Sequence, residues 1–260
     1  MSILETISKP AGRPAIITLL GDAGLGKTST AATFPNPIFI RAEDGLQSVP
    51  EDRMPDAFPV IETVDNLWDQ LKSLIREEHE YKTVVIDSVT ALEYLFYKHI
   101  LDTYNSERER DNKKPVDTIN SACGGYGAGF NAVGALHGRV RKACGVLNSR
   151  KGMHVIFIAH ADTETIDLPD QDAYTRYSMR LNKKSQAPYI DESDIVGFLK
   201  LKSFTRGEEG RTKKAIRNGD RVIDCTASAA NVSKNRFGIK ELLPLEEGVN
   251  PFAGIIKSLN

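Results

Sequence analysis

The feature that most constrains this sequence is a glycine-rich segment that directly follows a short apolar run. Residues 15–20 read Ala-Ile-Ile-Thr-Leu-Leu, which is typical of a buried strand. The next residues have the spacing of a phosphate-binding loop, in which two glycines five positions apart precede a lysine and a threonine. The segment is Gly21-Asp22-Ala23-Gly24-Leu25-Gly26-Lys27-Thr28, and Ser29 continues it. The alternative, a glycine-rich turn with an incidental lysine, does not account for the strand before the loop and the helix predicted after it.

The residue types in this loop suit the binding of a nucleoside triphosphate. Gly21 and Gly26 are expected where a Cβ would collide with the phosphates or prevent the turn. Lys27 is expected to reach the β- and γ-phosphates, and Thr28 to offer its hydroxyl to Mg²⁺. A helix that begins here and extends to Thr33 would direct the positive end of its dipole at the anion. The loop therefore predicts a nucleotide and Mg²⁺ as ligands.

Apolar strands alternate with helical segments along most of the chain. Strands are predicted at residues 38–40, 84–87 and 155–159, and helices at residues 63–75, 91–104 and 133–147. Shorter strands at residues 195–201, 215–217 and 222–225 predict a small antiparallel edge, and residues 58–61 are a candidate edge segment. This order is typical of an α/β fold with a mostly parallel sheet flanked by helices. Such folds bind ligands at the carboxyl ends of their strands, where Lys27, Asp87 and His160 all fall.

Three segments lack this periodicity. Residues 1–14 are interpreted as an amino-terminal arm, and residues 161–194 as a long functional loop. Residues 241–260 are interpreted as a tail with a short helix that starts at Asn250-Pro251 and runs to Leu259. The length and the 40% apolar content favour a single domain over residues 1–260.

The composition bears on partners and location. A formal charge of −1 gives no global attraction to nucleic acid, so such binding would need a local basic patch. No apolar stretch approaches the roughly 18 residues of a membrane-spanning helix, and the first residues show no signal-peptide pattern. The three cysteines lack the spacing of a metal site or a disulfide framework. We therefore expect a cytosolic protein without a membrane partner.

Hydrolysis of a phosphoanhydride needs one carboxylate that helps to hold the metal and another that orients the water. Asp87 follows an apolar strand and is the candidate for the metal, although it could instead cap the next helix. Glu43 follows a neighbouring strand and is the candidate for orienting water, with an ordinary loop acid as the alternative. His160 could sense the γ-phosphate or could simply pack at the end of its strand.

These residues resemble the RecA-like ATPases, and among them the small ATP-binding recombination and single-strand annealing proteins of bacteriophages. Residues 38–43 are similar to the RecA segment that ends in the catalytic glutamate, which implies that role for Glu43. Residues 84–88 are similar to the metal-binding strand, and residues 155–160 to the sensor strand, where RecA has glutamine in place of His160. The resemblance implies a single RecA-like P-loop ATPase domain that uses ATP and Mg²⁺ in the cytoplasm of a bacterial host cell.

The segment Ser233-Lys234-Asn235-Arg236-Phe237-Gly238 resembles the basic fingers that RecA filaments and ring helicases insert into the ATP site of a neighbour. Cations delivered across an interface would stabilise transition-state charge and make hydrolysis depend on assembly. The resemblance therefore implies catalytic roles for Lys234 and Arg236 and self-assembly into a filament or ring. A basic surface turn is the alternative.

Two segments that would face the axis of a RecA-like assembly are candidates for binding single-stranded DNA. The first, residues 121–130, is rich in glycine and carries Tyr126 and Phe130. The second lies within residues 161–194 and carries Arg176, Tyr177, Arg180 and Lys183. Cations next to aromatic rings suit a single strand, whose bases stack while its phosphates meet the charges. Because acids in the second segment would repel a DNA backbone, a solvated or partner-binding loop stays open as the alternative.

The sequence thus predicts a DNA-dependent, Mg²⁺-dependent ATPase that oligomerises and acts on single-stranded DNA in phage-type homologous recombination. Strand annealing and strand exchange are both compatible with it, and a single-strand-binding protein is a candidate partner. Two rivals stay open, namely a replicative helicase or helicase loader, and an ATP-gated oligomeric switch with little turnover. A P-loop kinase is disfavoured because no arginine-rich lid segment follows and Glu43 would have no role.

Overall fold

The computed structural model of the chain describes residues 3–7, 12–206 and 214–259, which form a central sheet covered by helices on both faces. Parts of the predicted arm, residues 1–2 and 8–11, lie outside the described residues, as do residues 207–213 and Asn260. The strands are β1 (Ile16–Gly21), β2 (Pro37–Arg41), β3 (Asp56–Ala57), β4 (Thr83–Asp87), β5 (His154–Leu168), β6 (Gln171–Met179), β7 (Ile195–Arg206), β8 (Lys214–Asp224), β9 (Lys234–Asn235) and β10 (Leu243–Pro244). The helices are α1 (Lys27–Ala31), α2 (Val64–Arg76), α3 (Val89–Arg110), α4 (Ala128–Arg150) and α5 (Lys183–Ile190), with 3-10 turns at Ile3–Thr6, Leu46–Ser48, Glu51–Arg53, Ile119–Gly124 and Lys257–Leu259.

The strands follow the order β10-β8-β7-β1-β5-β4-β2-β3 across the sheet. All pairs from β7 to β3 are parallel, and the pairs β7–β8, β8–β10, β7–β9 and β5–β6 are antiparallel. This mostly parallel sheet with a small antiparallel edge confirms the α/β architecture predicted from the sequence. The strand that leads into the phosphate loop lies inside the sheet, so its carboxyl end is flanked on both sides.

Alternate residues of β1 supply the two halves of the hydrophobic core. Ile16 and Leu20 pack in the cluster beneath α2, α3 and α4. Ile17 and Leu19 point to the opposite face and pack with α1 and with Phe252 from the carboxyl-terminal segment. Both faces of β1 are therefore buried, which explains why its sequence reads as a continuous apolar run.

Helix α2 begins where the sequence predicts it. Thr63 accepts a hydrogen bond from the backbone N–H of Asn66, and the Asn66 side chain accepts one from the backbone N–H of Thr63. This capping box satisfies two backbone donors that the helix leaves unpaired. The amino-terminal end of the helix predicted over residues 63–75 is confirmed, with Thr63 as its cap.

The prediction of a long loop over residues 161–194 is wrong. The strand β5 continues past His160 to Leu168 and forms a hairpin with β6, and α5 follows. Cross-strand neighbours such as Thr163 and Tyr177 are β-branched and aromatic residues, which favour pairing. The hairpin strands pair with each other beyond the main sheet and are largely exposed, so they lack the apolar periodicity that reveals a core strand.

Several predicted boundaries also differ from the structure. The helix expected from Asn250 to Leu259 is replaced by turns and a short 3-10 turn at Lys257–Leu259, because Gly254 takes a φ of +77° that ends helical geometry. The edge strand lies at Asp56–Ala57 rather than at residues 58–61. Helix α1 ends at Ala31, two residues before the expected end. Helix α3 extends to Arg110, six residues past the end predicted from the sequence.

Candidate nucleotide-binding site

The loop after β1 and the ends of β2, β4 and β5 meet at one edge of the sheet. Gly21 is opposite His160 in the pairing of β1 with β5, and Arg41 is opposite Asp87 in the pairing of β2 with β4. A cavity of about 540 Å³ opens at this edge. Its walls include the loop residues Ala23, Gly24, Gly26, Lys27, Thr28 and Ser29. Glu43, Asp87 and His160 complete the wall that faces the loop, so the structure brings these predicted residues together.

The remaining loop residues have structural positions around the cavity. Gly21 is the last residue of β1, and a Cβ at this position would lie 2.9 Å from the carbonyl oxygen of Leu199. The glycine is thus required by the close approach of β7, which differs from the expected clash with phosphates. Leu25 packs against the core cluster on the α1 side, and Asp22 contributes its carbonyl oxygen to the contacts of Lys27.

Lys27 is buried beneath the loop, with 6% of its surface exposed. Its Nζ donates hydrogen bonds of 2.8 Å to the carbonyl oxygens of Gly21 and Asp22. Burial lowers the pKa of Lys27, while the nearby carboxylates of Asp87 and Glu43 oppose that shift. Gly26, which precedes the lysine, has a φ of +94° that other residues rarely adopt, so the turn itself requires this glycine. The ammonium group is therefore held beside the loop, where a phosphate could replace the carbonyl contacts.

Thr28 and Asp87 form the part of the site that fits Mg²⁺. The Thr28 hydroxyl donates to Oδ2 of Asp87 over 2.8 Å, and Asp87 is 3% exposed. Burial raises the pKa of Asp87 to about 6, and the hydrogen bond from Thr28 opposes this. A Cβ on Gly45 would lie 3.2 Å from Oδ2 of Asp87 and 3.4 Å from Oγ1 of Thr28, so this glycine keeps the space beside both oxygens open. Hard oxygen ligands next to a phosphate site suit Mg²⁺, which retains several waters and usually takes few protein ligands.

Glu43 and His160 contact each other across the cavity. The Nε2 of His160 lies 3.2 Å from Oε1 of Glu43, and an ionised carboxylate can only accept, so Nε2 carries the hydrogen. This hydrogen bond holds the pKa of Glu43 below its usual range, although partial burial of the carboxylate acts in the opposite direction. The neighbouring Asp44 instead pairs with Arg41 at 3.1 Å and accepts a hydrogen bond from Gln47. Glu43 is thus the acid that faces His160, and Asp44 is neutralised locally.

Sequence reasoning missed two residues of this site, Gly45 and Arg221. Gly45 could have been found, because it directly follows the two acids at the end of β2. Arg221 lies on β8 and lines the cavity from the far side, about two hundred residues after the loop. No local pattern around Arg221 indicates a nucleotide site, and only the pairing of β8 with β7 brings it to the loop.

The predicted finger residues lie near the amino-terminal ends of the strands, at the opposite end of the sheet from the phosphate cavity. Strand β9 pairs with the first residues of β7, and Lys234 donates to the carbonyl oxygens of Ile190 and Asp191. Arg236 pairs with Asp194 at 3.0 Å, and this carboxylate also receives the backbone N–H of Ile16 at the start of β1. The structure therefore does not bring Lys234 and Arg236 to the phosphate cavity of their own chain. A role for them in the site of a neighbouring chain stays a prediction.

The candidate DNA-binding residues differ in how they are presented. Tyr126 is fully exposed, while Phe130 belongs to α4 and packs edge-on against Tyr97, so the prediction that it is presented by a loop is wrong. Tyr177 stacks on Phe198 and keeps 42% of its surface exposed.

The cations of the second segment are held to different degrees. Arg176 pairs with Glu164 across the hairpin at 2.8 Å. Arg180 directs one guanidinium nitrogen to the carbonyl oxygen of Ala161, and its charge is close enough to Lys27 to contribute to the lowered pKa of that lysine. Lys183 is exposed at the first turn of α5. Arg180 and Lys183 are thus the cations most available to an outside phosphate.

Comparison with known proteins gives a family match and two similar proteins. A family model described as AAA domain matches residues 13–237. The chain is 25% identical over 192 residues to the SPbeta prophage-derived uncharacterized protein YorG of Bacillus subtilis (strain 168), which covers 71% of this chain and 50% of that protein. The chain thus spans about half the length of this curated relative. The crystal structure of the RadB recombinase is similar at 13% identity and a TM-score of 0.44, over 82% of this chain and 81% of that one, a level that carries no argument about function.

Proposed function

The chain belongs to the AAA domain family, and from this premise we propose that it is a Mg²⁺-dependent ATPase that oligomerises and acts on single-stranded DNA in phage-type homologous recombination. The observation that carries the proposal is the convergence of Lys27, Thr28, Glu43, Asp87 and His160 on one cavity at the end of β1. Each group has a separate task in phosphoryl transfer to water, and the five tasks together make up the reaction.

The loop and Lys27 bind and orient the triphosphate. Lys27 exchanges its carbonyl contacts for the β- and γ-phosphates, so its positive charge meets the negative charge that develops during transfer. Thr28 and Asp87 are the residues that would hold Mg²⁺, through their hydroxyl and carboxylate oxygens. When bound, the ion neutralises phosphate charge.

Glu43 orients the attacking water, and His160 controls the position of Glu43. The low pKa of the Glu43 carboxylate keeps it ionised at neutral pH, so it can accept a hydrogen bond from water. His160 holds Oε1 before the nucleotide binds and is the group next to Gly21 that a γ-phosphate would meet. Exchange of the Glu43 contact for a phosphate contact would release the carboxylate for catalysis.

The nucleoside end of ATP is assigned to a second cavity of about 360 Å³ that adjoins the first. The two cavities share Gly26, Ser29, Ser48 and Arg221, and the second continues along α1 to the turn at residues 245–249. Arg53 and Glu247 form an ion pair of 2.6 Å across its outer wall. A base and ribose placed here would leave the phosphates over the loop.

The single-stranded DNA surface is proposed at the same end of the sheet. The β5–β6 hairpin extends β5 past His160, where its parallel pairing with β1 ends, and the segment that carries Tyr126 leads into α4, which contacts α3 through Phe130 and Tyr97. Tyr126 offers an exposed ring for stacking, and Arg180 and Lys183 offer cations for phosphates. The prophage origin stated for the Bacillus subtilis relative is in keeping with a phage-type role. Among the described helices, none has the length and apolar character needed to cross a membrane.

The experiment that tests this function measures ATP turnover against protein concentration, with and without single-stranded DNA. DNA-stimulated turnover that rises more steeply than protein concentration would support an assembling, DNA-dependent ATPase. A forked duplex separates the rival motor, because unwinding would indicate a helicase. Turnover that DNA does not stimulate would contradict the proposal and favour an ATP-gated switch.

A further inference from the structure

The guanidinium group of Arg221 lies directly against the phosphate loop. A Cβ built on Gly26 would come within 2.8 Å of a terminal nitrogen of Arg221 and within 3.6 Å of its guanidinium carbon. Arg221 lines both the phosphate cavity and the adjoining cavity along α1. It is therefore located where the two cavities join, over the turn that precedes Lys27.

The backbone of β8 directs Arg221 to this position. The pairing of β7 with β8 is regular up to Leu201 and Arg221 and then shifts, so that Ser203 pairs with Arg217. Gly219 within the extra residues has a φ of +86°. Such bulges change the direction of side chains and are common next to functional sites. On the side of β8 away from β7, the backbone carbonyl of Arg221 accepts a hydrogen bond of 2.9 Å from the N–H of Leu245. The strand is therefore hydrogen-bonded on both sides at this position.

Among the side chains that the structure describes, none forms a hydrogen bond or an ion pair with the side chain of Arg221, which is half-buried. Several other arginines of the molecule are neutralised by carboxylates. Arg53 pairs with Glu247, Arg176 with Glu164 and Arg236 with Asp194. A guanidinium group that is partly removed from water and lacks an anion is in an unfavourable position that a bound anion would relieve.

The negative charges that line the phosphate cavity also favour a second cation there. Glu43 and Asp87 line it with carboxylates, while Lys27 is the cation supplied by the loop. A polyphosphate that enters adds several negative charges at short range to these acids. Arg221 adds a permanent positive charge, and its fork of donors suits two phosphate oxygens at once.

We propose that Arg221 is a second phosphate-binding cation, supplied by the same chain, that contacts the polyphosphate of the bound nucleotide together with Lys27. This inference rests on the proposed ATP site and adds a residue that neither the loop pattern nor the RecA-like resemblance implies. Its consequence is that one protomer holds both cations needed to bind the nucleotide. Assembly would then be required for hydrolysis and not for binding.

The test compares the binding of ATP and of inorganic tripolyphosphate by calorimetry, for the full chain and three variants. Arg221→Ala should weaken the binding of both compounds by about tenfold or more, the usual size for a lost charge-assisted contact. Arg221→Lys should retain part of the affinity. The matched control is Lys200→Ala on the neighbouring strand, because Lys200 pairs with Asp224 rather than facing the cavity, and it should bind both compounds as the unmodified chain does.

The outcomes separate the inference from the function on which it rests. If the unmodified chain binds and hydrolyses ATP while Arg221→Ala binds both compounds with unchanged affinity, the inference is wrong and the ATPase proposal stands. If Arg221→Ala weakens ATP but leaves tripolyphosphate unaffected, Arg221 contacts the nucleoside and the inference is again wrong. If the unmodified chain binds neither compound, the proposed function itself fails and takes the inference with it. Thermal unfolding checks that each variant is folded, and Arg221→Gln replaces Arg221→Ala if the latter is not.

Discussion

The imidazole of His160 and the carboxylate of Glu43 are joined by a hydrogen bond of 3.2 Å across the mouth of the phosphate cavity. The two residues come from β5 and from the segment after β2, and the strand between them, β4, carries Asp87. The acid proposed to act on water is thus restrained by the residue proposed to meet the γ-phosphate. Substitution at either position should therefore change hydrolysis more than nucleotide affinity.

Glu43→Gln should keep near-normal ATP affinity and lower turnover by about 100-fold or more, because the amide cannot take a proton or hold water as a carboxylate does. Asp44→Asn is the matched control, since Asp44 pairs with Arg41 and should matter little for turnover. Single-turnover hydrolysis and equilibrium binding, measured on the same samples, check both statements. Normal turnover in Glu43→Gln with loss in Asp44→Asn would mean that the acids are assigned the wrong way round.

Lys27→Ala should abolish turnover and weaken ATP binding, because the variant loses the cation that serves the β- and γ-phosphates. Since Lys27 is buried and binds two loop carbonyls, a moderate loss of thermal stability is expected as well. Binding and turnover are to be measured below the unfolding temperature of the variant. A folded Lys27→Ala protein with full activity would exclude this loop as the catalytic site.

Arg180→Ala and Lys183→Ala should each weaken single-strand binding and reduce the salt dependence of the affinity, by about 0.7 in the logarithmic slope per lost phosphate contact. Arg176→Ala should have the smaller effect, because Glu164 already neutralises that guanidinium. Fluorescence anisotropy with labelled oligonucleotides over a series of salt concentrations gives the slopes. Tyr126→Ala tests stacking separately, with an expected loss of about 1–3 kcal/mol. Unchanged slopes in both cation variants would remove this surface from the DNA-binding site.

Arg236→Ala should bind ATP with near-normal affinity and hydrolyse it slowly if Lys234 and Arg236 act on a neighbouring protomer. The six-residue strand β1 separates the pair from the phosphate loop of its own chain by about 20 Å, so it cannot serve that loop. A mixture of Arg236→Ala with Lys27→Ala should recover part of the activity, because some interfaces then combine an intact loop with an intact finger. Mixed assemblies that form and yet stay inactive would contradict the hypothesis, and so would full activity of an isolated monomer.

Stability should fall at acid pH because of a buried histidine. His137 on α4 contacts the Tyr189 hydroxyl at 2.7 Å, and burial lowers the pKa of His137 to about 3. The unfolded chain takes up this proton near its ordinary pKa of about 6.5, so protons favour the unfolded state as the pH falls from there towards 3. The stabilisation that comes from the uncharged His137 is therefore complete above the unfolded-state pKa. As the pH falls from that pKa towards 3, the free energy of unfolding decreases by about 1.4 kcal/mol per pH unit.

The measurement is the free energy of unfolding in urea between pH 7 and pH 4. His137→Asn keeps a polar atom near the Tyr189 hydroxyl and removes the titrating ring, so its slope against pH should be shallower than that of the unmodified chain. Tyr189→Phe is the control, because it removes the hydrogen bond and leaves the histidine, and should lower stability without removing the slope. Equal slopes in all three proteins would show that His137 does not titrate as its burial requires.

The sequence predicted those parts of the molecule whose pattern is local. Buried strands are continuous apolar runs, and the loop and Thr63 carry their own signals, so β1, β4, α1 and α2 were recognisable before the structure. The residues proposed for chemistry followed because each stands at the carboxyl end of such a strand.

The parts of the fold and of the candidate site that could not be predicted depend on contacts between distant parts of the chain. The β5–β6 hairpin is stabilised by pairing between polar strands and leaves no apolar period. Phe130 looked available because glycines surround it in sequence, whereas the ring of Tyr97 covers it. Arg221 reaches the loop only through the order of strands at the antiparallel edge, which no local pattern encodes.

The continuity of β5 has a mechanical consequence. From His154 to Leu168 the chain forms one continuous strand, so the histidine at the phosphate cavity and the β5–β6 hairpin are parts of the same strand, whose outer part spans about 26 Å. The base of this hairpin is hydrogen-bonded to β5 next to the cavity, where the backbone N–H of Arg180 donates to the carbonyl oxygen of His160 over 2.8 Å. Because one strand joins these two places, a change in the position of His160 would also move the hairpin, and a ligand held on the hairpin would act in turn on His160.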